Sequence, residues 1–194
     1  MDKNTLSALR AKAFKYRGGV WTALFVVILA LAHPVPGRIP TGIVLVVLGQ
    51  LLRFWGAGCI KRYRGEQVKA EELATWGPYA LVRNPLYVGN GLIGLGWGWI
   101  AGPWATAVFC VTFWVLYDLL IVPHEEEFLR GKFGAEYENY CARVGRFFPK
   151  SLSRETLAHV RAGSYDASIL LKSEIHSLWV HIVGSIAIIS RLWW

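Results

Sequence analysis

The stretch Leu86–Val122, LYVGNGLIGLGWGWIAGPWATAVFCVTFWVLYDLLIV, decides the fold. Its single charged residue is Asp118, and Gly102-Pro103 divides it into two apolar segments, Leu86–Ala101 and Trp104–Val122. Each approaches the ~20 apolar residues with which an α-helix crosses a bilayer. A two-residue junction between them allows only a tight helical hairpin, with Pro103 placed where a first-turn N–H is not missed. Outward from the hairpin lie three more apolar segments, Gly18–Ala32, Ile39–Ile60 and Ile175–Ile189. The first is short for a span and is expected to draw in flanking residues. The last is followed by Trp193 and Trp194, aromatics that favour the membrane interface.

Composition agrees with this reading. The 194 residues are 54% hydrophobic and only 18% charged, and the charges fall in blocks at 1–17, 61–83 and 124–174. A soluble fold needs charge on every surface helix, so blocks separated by apolar runs point to a bilayer. The net charge of +8 does not indicate nucleic acid, because the basic residues interrupt apolar spans instead of lining one soluble face. They are expected to meet anionic headgroups of the cytoplasmic leaflet. Cys59, Cys110 and Cys141 stand far apart and form neither a zinc signature nor a disulfide framework, so no metal site is expected. Cys59 and Cys110 read as small buried hydrophobes. The basic start before an apolar run could pass for a signal peptide, but His33-Pro34-Val35-Pro36-Gly37-Arg38 lacks a small-x-small cleavage site, and the run reads as a retained first helix.

The expectation is an all-α integral membrane protein in one domain, 1–194, with about five transmembrane helices. Basic residues give its orientation. Lys3, Arg10, Lys12, Lys15 and Arg17 precede the first span, and Lys61, Arg62, Arg64, Lys69 and Arg83 follow the second. Arg130, Lys132, Arg143, Arg146, Lys150, Arg154, Arg161 and Lys172 follow the fourth, whereas Arg38 is alone after the first and the hairpin has none. The positive-inside rule then places the N-terminus and both large polar segments in the cytoplasm. In Thr5–Arg17, Leu6, Leu9, Ala13 and Tyr16 recur at helical spacing among basic residues, so residues 1–17 are expected as an amphipathic helix along the interface.

Three polar constellations lie in these segments. The first is Gly77-Pro78-Tyr79 with Arg83-Asn84-Pro85-Leu86-Tyr87-Val88-Gly89-Asn90. Gly77-Pro78 favours a turn and Pro85 biases Asn84 away from helix, so Arg83 and Asn84 are expected on extended backbone whose donors and acceptors stay available to a polar ligand. An ordinary membrane-entry loop would carry the same residues. The second is His124-Glu125-Glu126-Glu127 after Pro123. It suits either the first turn of a following helix or a cationic or ribose-bearing partner. Successive helical residues diverge by about 100°, so at most two of the three carboxylates face one ligand. The third is Phe133-Gly134-Ala135-Glu136-Tyr137, Tyr140 and Val144-Gly145-Arg146-Phe147-Phe148-Pro149, a short helix, a break and an aromatic stretch at the interface.

Together, an Arg-x-Pro-x-Tyr-x-Gly segment opening a helix, a Glu-Glu pair after the next helix, and Phe-Gly-x-x-Tyr-x-x-Tyr with Arg-x-x-Pro resemble the isoprenylcysteine carboxyl and phosphatidylethanolamine methyltransferases of membranes. The resemblance covers Gln50 to Pro149, including Leu52-Arg53-Phe54-Trp55. It implies that the short helices and loops on the cytoplasmic face form a site for S-adenosylmethionine. Carried over residue by residue, Arg83, Pro85, Tyr87 and Gly89 match the first half, and Glu125 and Glu126 match the acidic pair, with Leu129, Phe133, Gly134, Tyr137 and Tyr140 downstream. The implied cofactor-binding set is Tyr79, Arg83, Asn84, Pro85, Tyr87, Gly89, His124, Glu125, Glu126 and Tyr137. Arg83, Asn84, Arg53 and Arg146 are the candidates for the reacting centre. The family usually has His where this chain has Asn84; an amide can replace a hydrogen bond of imidazole but cannot titrate near neutral pH.

Arg53 and Asp118 fall inside apolar spans, where an ionisable residue is costly and suggests function. Snorkelling of Arg53, an Arg53–Asp118 ion pair and direct substrate contact are all compatible with their positions. Gly94, Gly98 and Gly102 recur every fourth residue and give the third span a smooth face for close packing, or room for cofactor or a lipid tail. Stretch 150–172 is basic and silent about chemistry. The expected partner is an amphiphilic or lipid substrate arriving from the membrane, its head anchored by Arg83, Arg53 or Arg146, and the abundance of Arg leans toward an anionic head. A monomer is the default. An NADPH-dependent sterol-type reductase and a non-enzymatic small membrane protein are the alternatives, the first disfavoured by the small number of spans.

Overall fold

Eight α-helices account for nearly all of the regular structure in the computed structural model, which describes residues 3–60, 72–170 and 174–194. Lys61, Arg62, Arg64, Lys69 and Lys172, which weigh in the expected orientation, lie outside the described residues. Helix α1 runs Lys3–Ala30 and α2 Ile39–Gly58, with a short 3-10 turn Pro36–Arg38 between them. A second 3-10 turn, Gly77–Ala80, leads to α3, Pro85–Ala101, and α4 begins at Pro103. Among the described residues there is no strand, only an isolated parallel bridge between Val82 and Gly145. Among the described residues, three helical stretches are long and apolar enough to cross a membrane: Thr5–Ala30, Pro36–Gly58 and Pro103–Phe133. Helices α3, with 17 residues, and α8, Ile175–Ser190 with 16, take the places of the expected third and fifth segments but are shorter than these three stretches.

The hairpin forms as its sequence dictates. Gly102 adopts φ +128°, which a side chain would strain, and Pro103 opens α4 directly after it. The every-fourth glycines serve this hairpin. Gly94 lies under the Phe109 ring, and a Cβ at Gly98 would lie 3.0 Å from the Thr106 Cα. A second glycine set, spaced by seven, joins α2 to α3 in the most extensive helix pair of the fold. A Cβ at Gly49 would lie 2.6 Å from the Gly89 carbonyl oxygen, and one at Gly42 2.8 Å from that of Gly96. Backbones this close leave no room for a side chain. Gly49→Val is therefore expected to destabilise by about 1–3 kcal/mol through overpacking, read as a lowered thermal midpoint in detergent. Gly131→Ala, with open space at its Cβ in α5, is the control and should be neutral or slightly stabilising.

Two expectations need correction here. Within the expected interfacial segment 1–17, the described residues 3–17 do not form a separate helix; they are the first half of α1, and Phe14 is buried with Leu116, Ile121 and Val122. That burial carries the helix through Gly18-Gly19 without a break. Nor does the helix stop where the expected fourth span does, at Val122. Helix α4, Pro103–Phe113, continues through a π-helical segment, Trp114–Ile121, into α5, Val122–Phe133. Proline cannot supply the N–H that would serve the carbonyl four residues back, and the wider π turn accommodates it. For Pro123 that carbonyl belongs to Leu119, and it accepts a hydrogen bond from Arg10 Nε at 3.3 Å. Gly134, at φ +52°, then turns the chain into α6, Ala135–Arg143. Helix α7, Arg154–Arg161, is capped by Ser153 and has no buried residue.

A candidate active site at one end of the helices

The polar constellations converge where α3 begins and where α4 passes through the π segment into α5. The turn at Gly77, φ +57°, brings Val82–Asn84 alongside Gly145 and Arg146: Val82 bridges to Gly145, the chain bends at Arg83, and Asn84 adopts φ −127° and ψ 57°. Arg83 N donates to the Gly145 carbonyl at 2.8 Å, and Asn84 N to that of Arg146 at 3.2 Å. Asn84 stays out of the helical region as expected, but the chain bends at Arg83 instead of running extended, and these two donors are spent on the 145–146 strip and are not available to a ligand. The Asn84 side chain does the same, giving Nδ2 to the Arg146 carbonyl at 3.2 Å. At this position an amide that ties two loops together is sufficient.

Glu126, buried at 4% exposure, is the hub. Arg83 Nη2 donates to its Oε1 at 2.8 Å and Arg146 Nη2 to its Oε2 at 2.7 Å. Arg146 also reaches Asp118 Oδ1 at 2.7 Å. Arg83 Nη1 donates to the Val144 carbonyl at 2.7 Å, satisfying the end of α6 as a cation at a helix C-terminus should. Two guanidinium groups and two carboxylates thus join the 77–84 loop, the π segment, α5 and the 144–148 loop. Burial works against the charge on Arg83, but the hydrogen bond and charge of Glu126 outweigh it and hold its pKa above the ordinary value. For Arg146 the bond to Glu126 is the largest influence and raises its pKa as well. Both are fixed cations.

One turn along, Tyr87 Oη donates to Glu125 Oε1 at 2.7 Å. The Tyr87 ring lies 4.5 Å from that of Tyr117, which contacts Phe113 at 4.9 Å and stacks on Trp21 at 5.4 Å. Adjacent carboxylates therefore have different surroundings: Glu126 is held by guanidinium groups, Glu125 by a phenol beside aromatic faces. His124 packs its ring against Phe14 at 5.5 Å. Tyr137 and Tyr140 are buried under the cluster, and Tyr140 Oη donates to the Tyr79 carbonyl at 2.7 Å. Burial pushes both phenols above the usual range, and the charge of Glu126 adds to this for Tyr137. They remain neutral donors. Pro85 is buried at the first position of α3. Gly89 faces α2, where a Cβ would meet the Arg53 side chain, so its place is in helix packing and not in the cluster.

The expected alternatives for Arg53 and Asp118 resolve differently. They do not pair with each other. Asp118 belongs to Arg146, and Arg53 is clamped by Glu174, Nη2 to Oε1 at 2.8 Å and Nε to Oε2 at 3.1 Å. Glu174 has no exposed surface and Arg53 5%. Arg53 Nη1 also donates to Asn90 Oδ1 at 2.5 Å, and Asn90 Nδ2 to Tyr117 Oη at 2.9 Å. Sequence reasoning missed Asn90, Tyr117 and Glu174. A lone amide one turn beyond Tyr87 in an apolar helix was a signal for the first. Glu174 stands at the end of a basic stretch, and no local pattern links it to a residue 121 positions away. Among the described residues no group of three or more His, Cys, Asp or Glu side chains could hold a metal ion.

Comparison with known proteins adds identity to this geometry. The profile of the phospholipid methyltransferase family matches residues 38–136. The chain is 30% identical over 169 residues to the nickel-cobalt-cadmium resistance protein NccN of Alcaligenes xylosoxydans xylosoxydans, covering 80% of this chain and 76% of the relative. It is 32% identical over 169 residues to the cobalt-zinc-cadmium resistance protein CzcN of Cupriavidus metallidurans, covering 80% and 74%. A probable protein-S-isoprenylcysteine O-methyltransferase of Oryza sativa subsp. indica is 31% identical over 114 residues, 56% of this chain and 59% of the relative. No solved structure matches. The family profile spans more than half of the chain, including the Arg83 loop and the Glu125-Glu126 pair, and the protein is an integral membrane member of the phospholipid methyltransferase family.

Proposed function

We propose that the protein transfers a methyl group from S-adenosylmethionine to the polar head of a lipid-like or prenylated amphiphile at the cytoplasmic membrane face. One observation carries the reading: two sequence elements 43 residues apart, the Arg83 loop and the Glu125-Glu126 pair, meet in one network beside the aromatic faces of Tyr87 and Tyr117. The donor set suits this cofactor. A carboxylate with a phenol can bind ribose hydroxyls or an amino group, and aromatic faces favour a sulfonium as they favour other cations. Glu125 and Tyr87 are the residues that would hold it, with Arg83 and Arg146 fixing Glu126 and the two loops around it. When bound, the cofactor supplies an electrophilic methyl group on a positively charged sulfur. The chain's own tasks are then alignment and exclusion of water, and no protein nucleophile is required.

Asn84 holds the 145–146 strip and does not titrate, so no proton transfer is assigned to it. The family match favours S-adenosylmethionine over NADPH. The metal resistance named for two relatives enters this proposal only as a physiological setting, with no metal role assigned to any residue. Calorimetry on detergent-purified protein tests the reading. S-adenosylmethionine should bind, NADPH should not, and Glu125→Ala should weaken the former by about tenfold or more, about 1.4 kcal/mol. Binding of NADPH in place of S-adenosylmethionine would defeat it.

A further inference from the structure

We propose that a partly open cavity lined by α1, α3, α4 and α8 is the acceptor site, that it takes a single-chain amphiphile with an uncharged, hydrogen-bonding head, and that Asn90 receives that head. The inference rests on the methyl-transfer reading above and names the substrate class for it. The cavity measures about 540 Å³, within the roughly 300–1,000 Å³ of small-ligand pockets, and is too small for two ordinary acyl chains. Its walls are apolar and aromatic, with Trp21 and Phe25 from α1, Trp97 from α3, Phe109 from α4, and Trp179 and Val183 from α8. Helix α8 lies outside residues 38–136 that match the family, so this wall is contributed by the remainder of the chain.

One edge of the cavity is polar. There Asn90 and Tyr117 reach the lining, and Tyr117 lies against Tyr87, whose hydroxyl is bound to Glu125. The polar edge therefore adjoins the residues assigned to the methyl donor. Charge decides what head belongs there. No Asp, Glu, Lys or Arg is among the described residues lining the cavity, and His181 is hydrogen-bonded to Gln50. The cation nearest the edge, Arg53, is held by Glu174, while Arg83 and Arg146 are held by Glu126 and Asp118. Arg17, whose charge reaches Tyr87 and Glu125, donates to the Phe14 carbonyl, and Glu125 accepts from Tyr87. An anionic head would have to pull a guanidinium from its partner, and a cationic head would find no carboxylate in the lining. The expectation of an anionic head, drawn from the abundance of Arg, gives way to these pairings.

Asn90 fits an uncharged head. Its amide accepts from Arg53 and donates to Tyr117, which leaves one N–H and one carbonyl lone pair. A hydroxyl, donor and acceptor at once, matches both. In the transfer the hydroxyl oxygen would bond to the methyl carbon and release its proton to water, while the carbon–sulfur electron pair stays on sulfur as a neutral thioether. Glu174 and Arg53 act as positioning residues, fixing the Asn90 carbonyl so that the remaining N–H faces a defined direction.

Photo-crosslinking tests the site on full-length protein in phosphatidylcholine nanodiscs. The probes are a long-chain alcohol with a diazirine near its tail, and the matching alkyl sulfonate and quaternary alkylammonium. The alcohol is expected to label residues in 21–28 and 179–187 about tenfold more than either charged probe, competed by unlabelled alcohol. Ala187→Phe, which fills the cavity from α8, and Thr22→Trp, which fills it from α1, should each reduce that labelling about tenfold. S-adenosylmethionine binding by calorimetry should be unchanged in both variants. Equal labelling by a charged probe, or labelling indifferent to both variants, overturns the inference even if S-adenosylmethionine binds. Cavity labelling by the alcohol in a protein that does not bind S-adenosylmethionine overturns the acceptor role through failure of the methyl-transfer reading itself.

Discussion

Glu126→Gln is expected to abolish methyl transfer and to destabilise the protein by about 3–5 kcal/mol, the usual cost of removing one partner from a buried ion pair. The substitution preserves volume and keeps one acceptor oxygen, so the loss comes from charge. Two guanidinium groups, Arg83 and Arg146, would lose a carboxylate that has 5% of its side chain exposed. The backbone of their loops is paired at 83–84 and 145–146, so an unanchored Arg83 would loosen the 77–84 loop and the end of α6 together. The Arg146–Asp118 pair offers an internal comparison. Its side chains are 31% and 28% exposed, and Asp118→Asn should cost no more than about 1 kcal/mol after solvent screening. Thermal unfolding in detergent and S-adenosylmethionine binding on the same preparations separate the two cases. Equal, small effects of both variants would show that Glu126 is not the hub.

The second large effect is expected at Arg53 and Glu174. Each single variant, Arg53→Met or Glu174→Leu, strands a charge in the helical interior and should destabilise by about 3–5 kcal/mol. The double variant replaces the pair with apolar side chains of similar length and should recover most of that loss. Recovery is the informative result, because strictly additive losses would mean that the two side chains do not interact. Cavity labelling by the alcohol should be lower in the double variant than in the wild type even where stability is recovered. Asn90 would still bond to Tyr117 but would lack the guanidinium that orients its carbonyl.

The spans were legible where composition and punctuation agree. Gly102-Pro103 announced the hairpin because a positive φ suits glycine and the first turn of a helix tolerates proline. That Asn84 stays out of the helical region before Pro85 followed from proline's effect on its neighbour, whereas the bend at Arg83 did not. Other features left no local trace. The π segment at Trp114–Ile121 is a change of hydrogen-bond register within an apolar helix, and composition cannot show it. The first half of α1 read as an interfacial helix because its basic residues follow amphipathic spacing; the burial of Phe14 against the π segment is a tertiary fact. Glycines at every fourth position suggested a packing face, which they form within the hairpin. The seven-residue set Gly42, Gly49 and Gly56 that seats α2 on α3 was overlooked. The residues of the cluster were readable by resemblance, but their partners were not. Arg53 found Glu174 across the chain, and Arg146, not Arg53, took Asp118.

Methyl transfer is tested by following the methyl group itself. Purified protein in nanodiscs would be given S-adenosylmethionine carrying an isotopic label on the methyl carbon, together with a long-chain alcohol and a membrane lipid extract as separate acceptors. Label in the organic phase is measured for the wild-type protein and for Glu126→Gln. Label should appear in the organic phase with the wild-type protein and fall about 100-fold or more in the variant, about 2.8 kcal/mol at about 1.4 kcal/mol per decade. No label with the wild type while S-adenosylmethionine binds, or equal label with both proteins, would contradict it.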